Sequence, residues 1–451
     1  MALQLQRTLA SDEQRTQERK CADATGKKMK NYGFREVRVR FLGGYEFKLL
    51  ARYYARSQAR ADKARGVYFG LLLLGIHNRC SPALASEVAK LAAAMNSLED
   101  ARAQLRELGV TLSVKQIATI AYQFSARARL RQKASDMGIS ATLAGRRVVV
   151  STDGGRVRIR TNQRGKRTKK GRRRYRTDWR EPKLLAIYVV NEQGRIDREF
   201  TPVLDGTLQG PDAVFRLIAS YLSELQIDEA TKVLFIADGA KWIWNRVASL
   251  WKRLGLKAEQ CLELVDFYHV VEHLGTLAGL KKNWSKKQKR GWITRQVNRL
   301  KQGHVEPFQE EVKKFCRGKR GKDWRRERGY LLRNATAGRL NYGLARQQQL
   351  PNGSGIIEST VRRVLNLRMK GASTFWTKEN AEDMLLLRAY YKSGHWQVLE
   401  NKAFEYSYEL PRQTHTKSFV FQGLAKGSRY SSLPCDAAWR CFLCRCVALT
   451  G

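Results

Sequence analysis

The sequence predicts an α/β protein whose sheet is interrupted by an all-helical insertion and preceded by a mainly helical region. Three observations predict it. Two apolar runs, VVVSTDGG and VLFIADGA, each end in Asp-Gly, at Asp153 and Asp238. A long basic stretch, residues 269–349, carries helical periodicity and no strand pattern. Upstream, three segments open on serines placed as helix N-caps.

Residues 1–31 are polar, charged and without periodicity, and read as a flexible arm. Residues 36–54 alternate and turn at Gly43-Gly44, the pattern of a β-hairpin. Ser81-Pro82 places an N-cap before a proline at the first helical position. Ser97-Leu-Glu-Asp100 and Ser113-Val-Lys-Gln116 open two further helices, and Gly109 ends the second. Three short helices with a tight turn before the last suggest a helix-turn-helix, or else a plain helical bundle. Lys115, Arg127, Arg129 and Arg131 tilt the choice towards DNA.

The texture then changes. Residues 147–152, 157–160, 183–190 and 195–203 read as strands, with a turn at 191–194. A helix at 211–225, a strand at 232–237, a helix at 242–254 and a strand at 261–265 follow. Three antiparallel strands, then helix, strand, helix and strand, is the order of the ribonuclease H-like fold. The expected organisation is an arm (1–31), a DNA-binding region (32–135), a catalytic domain in two pieces (145–268 and 350–395), a helical insertion (269–349) and a C-terminal tail (396–451).

Composition narrows the function. Among 451 residues, 85 lysines and arginines face 41 acids, a net charge of +44. Such an imbalance adds nothing to a fold and repels itself. Duplex nucleic acid is the most charge-dense partner that neutralises it. The 43% hydrophobic content supports a sizeable core. No apolar run is long enough to span a bilayer and the first residues lack a secretory signal, so no membrane partner is expected and a cytoplasmic protein is the default. Cys435, Cys441, Cys444 and Cys446 crowd the C-terminus, but only Cys441 and Cys444 form a C-x-x-C pair, and an incidental tail is the reading.

The acidic residues carry the chemistry. If the first and fourth strands are neighbours, Asp153 and Asp238 emerge at one sheet edge. Glu358 follows the turn Pro351-Asn-Gly-Ser-Gly355 at the start of a helix, where it can reach that edge. Clustered carboxylates repel unless cations bind. Hard oxygen ligands suit Mg²⁺, and two such ions activate the attacking oxygen and stabilise the leaving one at a phosphodiester. Asp266, at the end of the next strand, is a possible fourth metal-proximal acid or an orienter of His269.

Residues 147–387 resemble the catalytic domain of bacterial insertion-sequence transposases with a DDE triad, closest to the ISKra-type branch and more widely to Mutator-like transposases. The likeness rests on Thr152-Asp-Gly154, Ala237-Asp-Gly-Ala-Lys-Trp-Ile-Trp244, Val265-Asp-Phe-Tyr-His-Val-Val-Glu-His273, Gly353-Ser-Gly-Ile-Ile-Glu-Ser359 and Arg368-Met-Lys-Gly371. Residues 75–124 resemble that branch's helical N-terminal region. Asp266 and His269 match the Cys/Asp-x-x-His motif of the Mutator-like relatives. The resemblance implies cleavage at element ends and joining of the 3′ ends to target DNA, with catalytic and metal-binding roles on Asp153, Asp238 and Glu358. Two Mg²⁺ ions, with Mn²⁺ as a substitute, double-stranded DNA as end and target, a homo-oligomer, and a bacterial cytoplasm with residence on the nucleoid are expected. A ribonuclease H-like nuclease without strand transfer and a non-catalytic DNA-binding relative are the alternatives.

Phosphate contacts are expected from a dense basic loop, Lys166, Arg167, Lys169, Lys170, Arg172, Arg173, Arg174 and Arg176, and from Arg362, Arg363, Arg368 and Lys370 beside Glu358. Trp242, Trp244, Trp284, Trp292 and Trp324 are candidates for stacking on an unpaired base.

Overall fold

The computed structural model describes residues 1–405 apart from 57–65, 133–135, 164, 170, 172 and 373. Lys170, Arg172 and the four C-terminal cysteines therefore lie outside the described residues.

The architecture is mixed α/β. Nine strands are present among the described residues: β1 (Met29–Arg40), β2 (Glu46–Arg56), β3 (Arg147–Gly154), β4 (Val157–Asn162), β5 (Tyr175–Arg180), β6 (Lys183–Val190), β7 (Val203–Thr207), β8 (Lys232–Ala237) and β9 (Cys261–Val265). Five of them form the central sheet in the order β7-β6-β3-β8-β9. The pairs β7–β6 and β6–β3 are antiparallel, and β3–β8 and β8–β9 are parallel. β6, with every residue buried, and the apolar β3 and β8 occupy the middle, as strands covered on both faces do. Helices Pro211–Glu224 and Lys241–Arg253 make the crossovers and bury Val214, Ile218, Ile243 and Val247 against the sheet.

Two expectations are corrected. The strand expected at 195–203 is a loop held by one bridge, Val190 to Ile196, and the strand is β7, which begins where the expected one ends. The turn at Asn191–Gly194 is present, closed by the Asn191 N–H on the Arg195 carbonyl at 2.8 Å. Residues 1–31 are not a loose arm either. They form helices Ala2–Ala10 and Asp12–Ala24 and the start of β1. Leu9 is fully buried, and Gln6 exchanges two hydrogen bonds with the Leu50 backbone of β2. Glu18, also fully buried, accepts from Tyr54 at 3.0 Å and lies 3.6 Å from Arg52. The second helix buries Gln14 and Glu18 together with Cys21 and Ala22, so half of its buried face is polar and no apolar period marks it in the sequence.

The three serine-capped helices form as read, at Pro82–Ala94, Leu98–Glu107 and Val114–Arg131, with Ser81, Ser97 and Ser113 as caps. The third is not a free recognition helix along its length. Phe124 is fully buried, stacks on Trp396 and meets Phe404 edge-on, both in helix Trp396–Phe404. Arg127 donates to the Ala403 carbonyl, and Arg129 makes a two-bond pair with Asp205 of β7 at 2.7 and 2.8 Å. Two of the arginines that suggested DNA thus bind this helix to the rest of the protein. Lys115, Gln116 and Thr119 remain exposed at its N-terminal end. The beginning of the expected tail is the helix Trp396–Phe404, part of the same core.

Residues 267–347 form five helices, Phe267–Gly279, Lys286–Lys301, Val305–Phe315, Lys322–Thr336 and Tyr342–Gln347. They pack around Trp292, Phe308 and Phe315. Trp284, Trp292 and Trp324 all lie against Phe315, so they are packing residues, not stacking sites for a base. No described helix is long and apolar enough to cross a membrane.

Candidate active site

The sheet register places three aspartates side by side. Thr152 of β3 pairs with Ala237 of β8, and Ala237 pairs with Val265 of β9. Asp153, Asp238 and Asp266 each follow the paired residue, so their backbones sit about one strand spacing, ~4.8 Å, apart along one edge.

Asp153 and Asp238 are partly buried, and among the described residues each is held by a local backbone donor. Asp153 accepts from the Gly154 N–H at 2.6 Å and Asp238 from the Ala240 N–H at 3.0 Å. Burial raises the Asp153 carboxyl above the ordinary carboxylate range; the Gly154 N–H opposes that, the charge of Asp238 adds to it, and His269 and Lys183 oppose it. A raised value is what like charges in a shielded place produce.

Asp266 differs. It is fully buried and both its oxygens are engaged. One accepts from the Tyr268 and His269 N–H groups at 2.8 and 3.1 Å, capping the helix Phe267–Gly279. The other accepts from the Ser354 N–H and hydroxyl at 2.5 and 2.7 Å. Four donors fill the four acceptor positions of a carboxylate. The Phe267 N–H adds a bond to the Asn352 carbonyl at 3.0 Å. Asp266 is therefore the clasp that docks the glycine-rich turn, and with it the helix Gly355–Thr360, on the end of β9.

That helix carries Glu358, whose carboxylate is exposed. A carboxylate oxygen of Glu358, a ring nitrogen of His269 and an oxygen of Asp266 lie within 4.8 Å of one another. The helix continues as a π-helical turn, Val361–Asn366. Gly155, two residues after Asp153, is where this segment meets β3: a Cβ there would stand 2.2 Å from Leu365 and 3.6 Å from Val361. Glu358 is thus anchored at both ends of the acidic row, by Ser354 on Asp266 and by Leu365 on Gly155. His269 joins the two ends, next to Glu358 and close enough for its charge to reach Asp153.

Three further residues enter the site that sequence reasoning missed. Lys183, the first residue of β6, pairs in register with Gly154. It is 5% exposed, ion-paired to Glu181 at 2.6 Å, and its ammonium lies 3.9 Å from the Trp242 ring centre. Its signal was a lysine opening a strand otherwise apolar on both faces. Tyr330, from the helical insertion, accepts the Gly239 N–H at 3.2 Å and stacks on His273 at 3.5 Å. A Cβ at Gly239 would stand 2.2 Å from that ring, so the loop after Asp238 requires glycine. His273 in turn bonds Glu327 at 2.5 Å. Ser354 is the third, and its partner is 88 residues away.

Of the expected phosphate contacts, Lys166, Arg167, Lys169, Arg173, Arg174 and Arg176 are exposed around the β4–β5 hairpin, as are Arg362 and Lys370. Arg363 is half-buried. Arg368 is a correction: it is 9% exposed, lies over the Trp376 ring at 5.5 Å, and burial lowers its basicity. Its stem and head are core. Trp244 is also internal, donating to the Asp238 carbonyl at 2.7 Å. No protein-family model matches the chain, and neither does any curated protein or solved structure.

Proposed function

We propose that the chain is a DNA transposase of the DDE type, built on a ribonuclease H-like catalytic domain with a helical insertion. The observation that carries the reading is the acidic edge. Asp153 and Asp238 end adjacent parallel strands, neither forms an ion pair among the described residues, and the helix of Glu358 is docked onto the same edge. The sheet order β7-β6-β3-β8-β9 and the net charge of +44 support it.

The donor types fit Mg²⁺, with Mn²⁺ as a substitute: Asp153, Asp238 and Glu358 offer hard carboxylate oxygens, of which one on Asp153 and one on Asp238 already accept a backbone N–H. Asp266 fits less well, because its acceptor positions are already filled. When bound, such ions supply charge neutralisation at the attacking and leaving oxygens of a phosphodiester. Asp153 and Asp238 hold the edge rigidly, since both extend from fully paired strands. Glu358 stands beside Asp266 and His269, its carboxylate within 4.8 Å of their ligand atoms, and would complete the set from there, with Ser354 on Asp266 fixing the turn before its helix. Lys183 tempers the repulsion at Asp153. His269, half-exposed beside Glu358, is placed to meet a phosphate. A homo-oligomer on double-stranded DNA follows from the need to join two ends.

Purified protein incubated with labelled duplex ends, target plasmid and Mg²⁺ tests the reading. Joined products are expected. Cleavage without joining would make the protein a nuclease, and binding without cleavage would make it a non-catalytic DNA-binding protein.

A further inference from the structure

The hairpin β4–β5 grows out of the acidic edge. β4 begins just after Gly155, and β5 ends just before Lys183. Its inner face is core: Val157 and Ile159 are buried. Antiparallel partners share a face, and the register pairs Arg158 with Trp179, Arg160 with Thr177 and Asn162 with Tyr175. These six residues form the outer face.

On that face lies a continuous run of flat side chains. Tyr175 meets Phe375 with ring centres 5.8 Å apart. The Arg158 guanidinium lies 4.7 Å from the Phe375 centre and 5.6 Å from that of Trp179. Trp179 is 54% exposed and Tyr175 46%, whereas of the five tryptophans that the sequence singled out Trp244 and Trp292 are buried and Trp242, Trp284 and Trp324 half-buried. The run is rigid. Arg158 donates to the Gly371 carbonyl at 2.8 Å, and the Arg158, Arg160 and Trp376 backbones exchange two bonds at 3.0 and 2.7 Å. On the same face Arg160 is exposed and Arg156 precedes it in the same alternation, while the acid Asp178 lies on the other face and is met by Arg176 at 3.3 Å.

Exposed aromatic faces alternating with guanidinium planes on a cationic ribbon are what an unpaired nucleic-acid strand requires: every base has a π face, and the arginines meet its phosphates. A duplex would hide the bases from such a surface. From Tyr175 to Trp179 the run covers about 13 Å, the length of roughly four stacked nucleotides. The Trp179 end is the one next to Asp153.

We infer that the outer face of β4–β5 is a stacking platform for unpaired bases at a DNA end, leading the strand to the acidic edge. The inference rests on the reading of the protein as DNA-acting and adds the form of DNA that it grips. Trp179 and Tyr175 are positioning residues and make no contact with the reacting atoms.

Binding in EDTA tests it without chemistry. A blunt duplex is compared with the same duplex carrying a short single-stranded 3′ overhang that contains 2-aminopurine. The full chain is expected to prefer the overhang and to quench the 2-aminopurine. Trp179→Ala is expected to lose about tenfold in affinity for the overhang, with the quenching, while blunt-duplex affinity changes less than twofold. Trp179→Phe should keep most of both, and equal thermal melting of the variants shows that the exposed ring is dispensable for folding. A wild type that binds both DNAs equally, or an overhang preference that survives Trp179→Ala, overturns the platform alone. A wild type that binds neither DNA overturns the reading of the protein as DNA-acting, and the platform with it.

Discussion

Asp205 and Asp153 are both strand carboxylates in the same sheet, and the protein treats them in opposite ways. Asp205, on β7, is fully buried and surrounded by donors: two from Arg129, one from Tyr221 at 2.8 Å and one from the Gly206 N–H at 2.7 Å. Its charge is neutralised inside the protein. Asp153, on β3, has one local N–H, a like-charged neighbour and a raised affinity for its proton. Asp266 stands between them, silenced by donors but not by a cation. A carboxylate whose charge the fold answers is a structural part. One whose charge the fold only tempers, as Lys183 and His269 do at Asp153, is where the proposed function would seat a cation.

The contrast breaks most sharply under substitution. At the open site, Asp153→Asn, Asp238→Asn and Glu358→Gln are each expected to lower strand cleavage at least ~10⁴-fold, about 5.5 kcal/mol. Duplex binding should change less than twofold, and the melting temperature should not fall, because each change removes repulsion. Any variant that cleaves at the wild-type rate removes that acid from the site. At the answered site the penalty moves from activity to folding. Arg129→Met leaves Asp205 buried without its partner and is expected to cost about 3–5 kcal/mol in urea denaturation of the full chain. Adding Asp205→Asn should recover part of that loss. If the single variant loses less than ~1 kcal/mol, Arg129 is not what neutralises Asp205.

Smaller effects sharpen the intermediate case. Ser354→Ala removes one of the four donors to Asp266 and is expected to cost about 1–2 kcal/mol of stability. Cleavage should fall more than DNA affinity, since Glu358 loses its fixed position. Equal loss of both would point to a purely structural serine. The smallest effect concerns Asp383, in helix Lys378–Ser393 beside Ser125. Burial pushes its carboxyl up to about 7, with Glu382 adding to the rise and Ser125 opposing it. A raised folded value favours the protonated form. Its contribution to stability is therefore complete below the ordinary carboxylate range, about pH 4, and is lost as pH rises through about 7. The melting temperature should drop by a few degrees over that interval, and Asp383→Asn should flatten the drop.

What the sequence disclosed, and what it hid, follows from how far each interaction reaches. Ser81, Ser97 and Ser113 bond backbone three residues ahead, so the helix starts could be read directly. β3 and β8 are buried on both faces and show as apolar runs, and β9 alternates as Cys-Leu-Glu-Leu-Val, which placed Asp153, Asp238 and Asp266 at strand ends. β7 was misplaced because Val-Leu-Asp-Gly-Thr reads as a turn until Arg129, 76 residues upstream, neutralises its aspartate. The second N-terminal helix was missed because half of what it buries, Gln14 and Glu18, is polar. Glu358 was proposed from its turn and from resemblance; the contacts that bring it to the sheet, Ser354 with Asp266 and Leu365 with Gly155, span distances that no local pattern records. Trp179 escaped notice because exposure is invisible in a sequence.

The clasp at Asp266 has one further consequence. The chain leaves the sheet at Phe267 and is back at Asn352, bonded to the residue from which it departed. Everything between is an excursion with a sealed neck. The entropy of closing such a loop grows only with the logarithm of its length, so doubling it costs about 0.6 kcal/mol. Helices between those points can be lengthened, trimmed or exchanged while Glu358 keeps its address, provided that Tyr330 still reaches Gly239 and that Arg339 and Tyr342 keep their bonds to Glu263 and Val265. The neck thereby separates the part of the protein free to diversify from the part that must stay still.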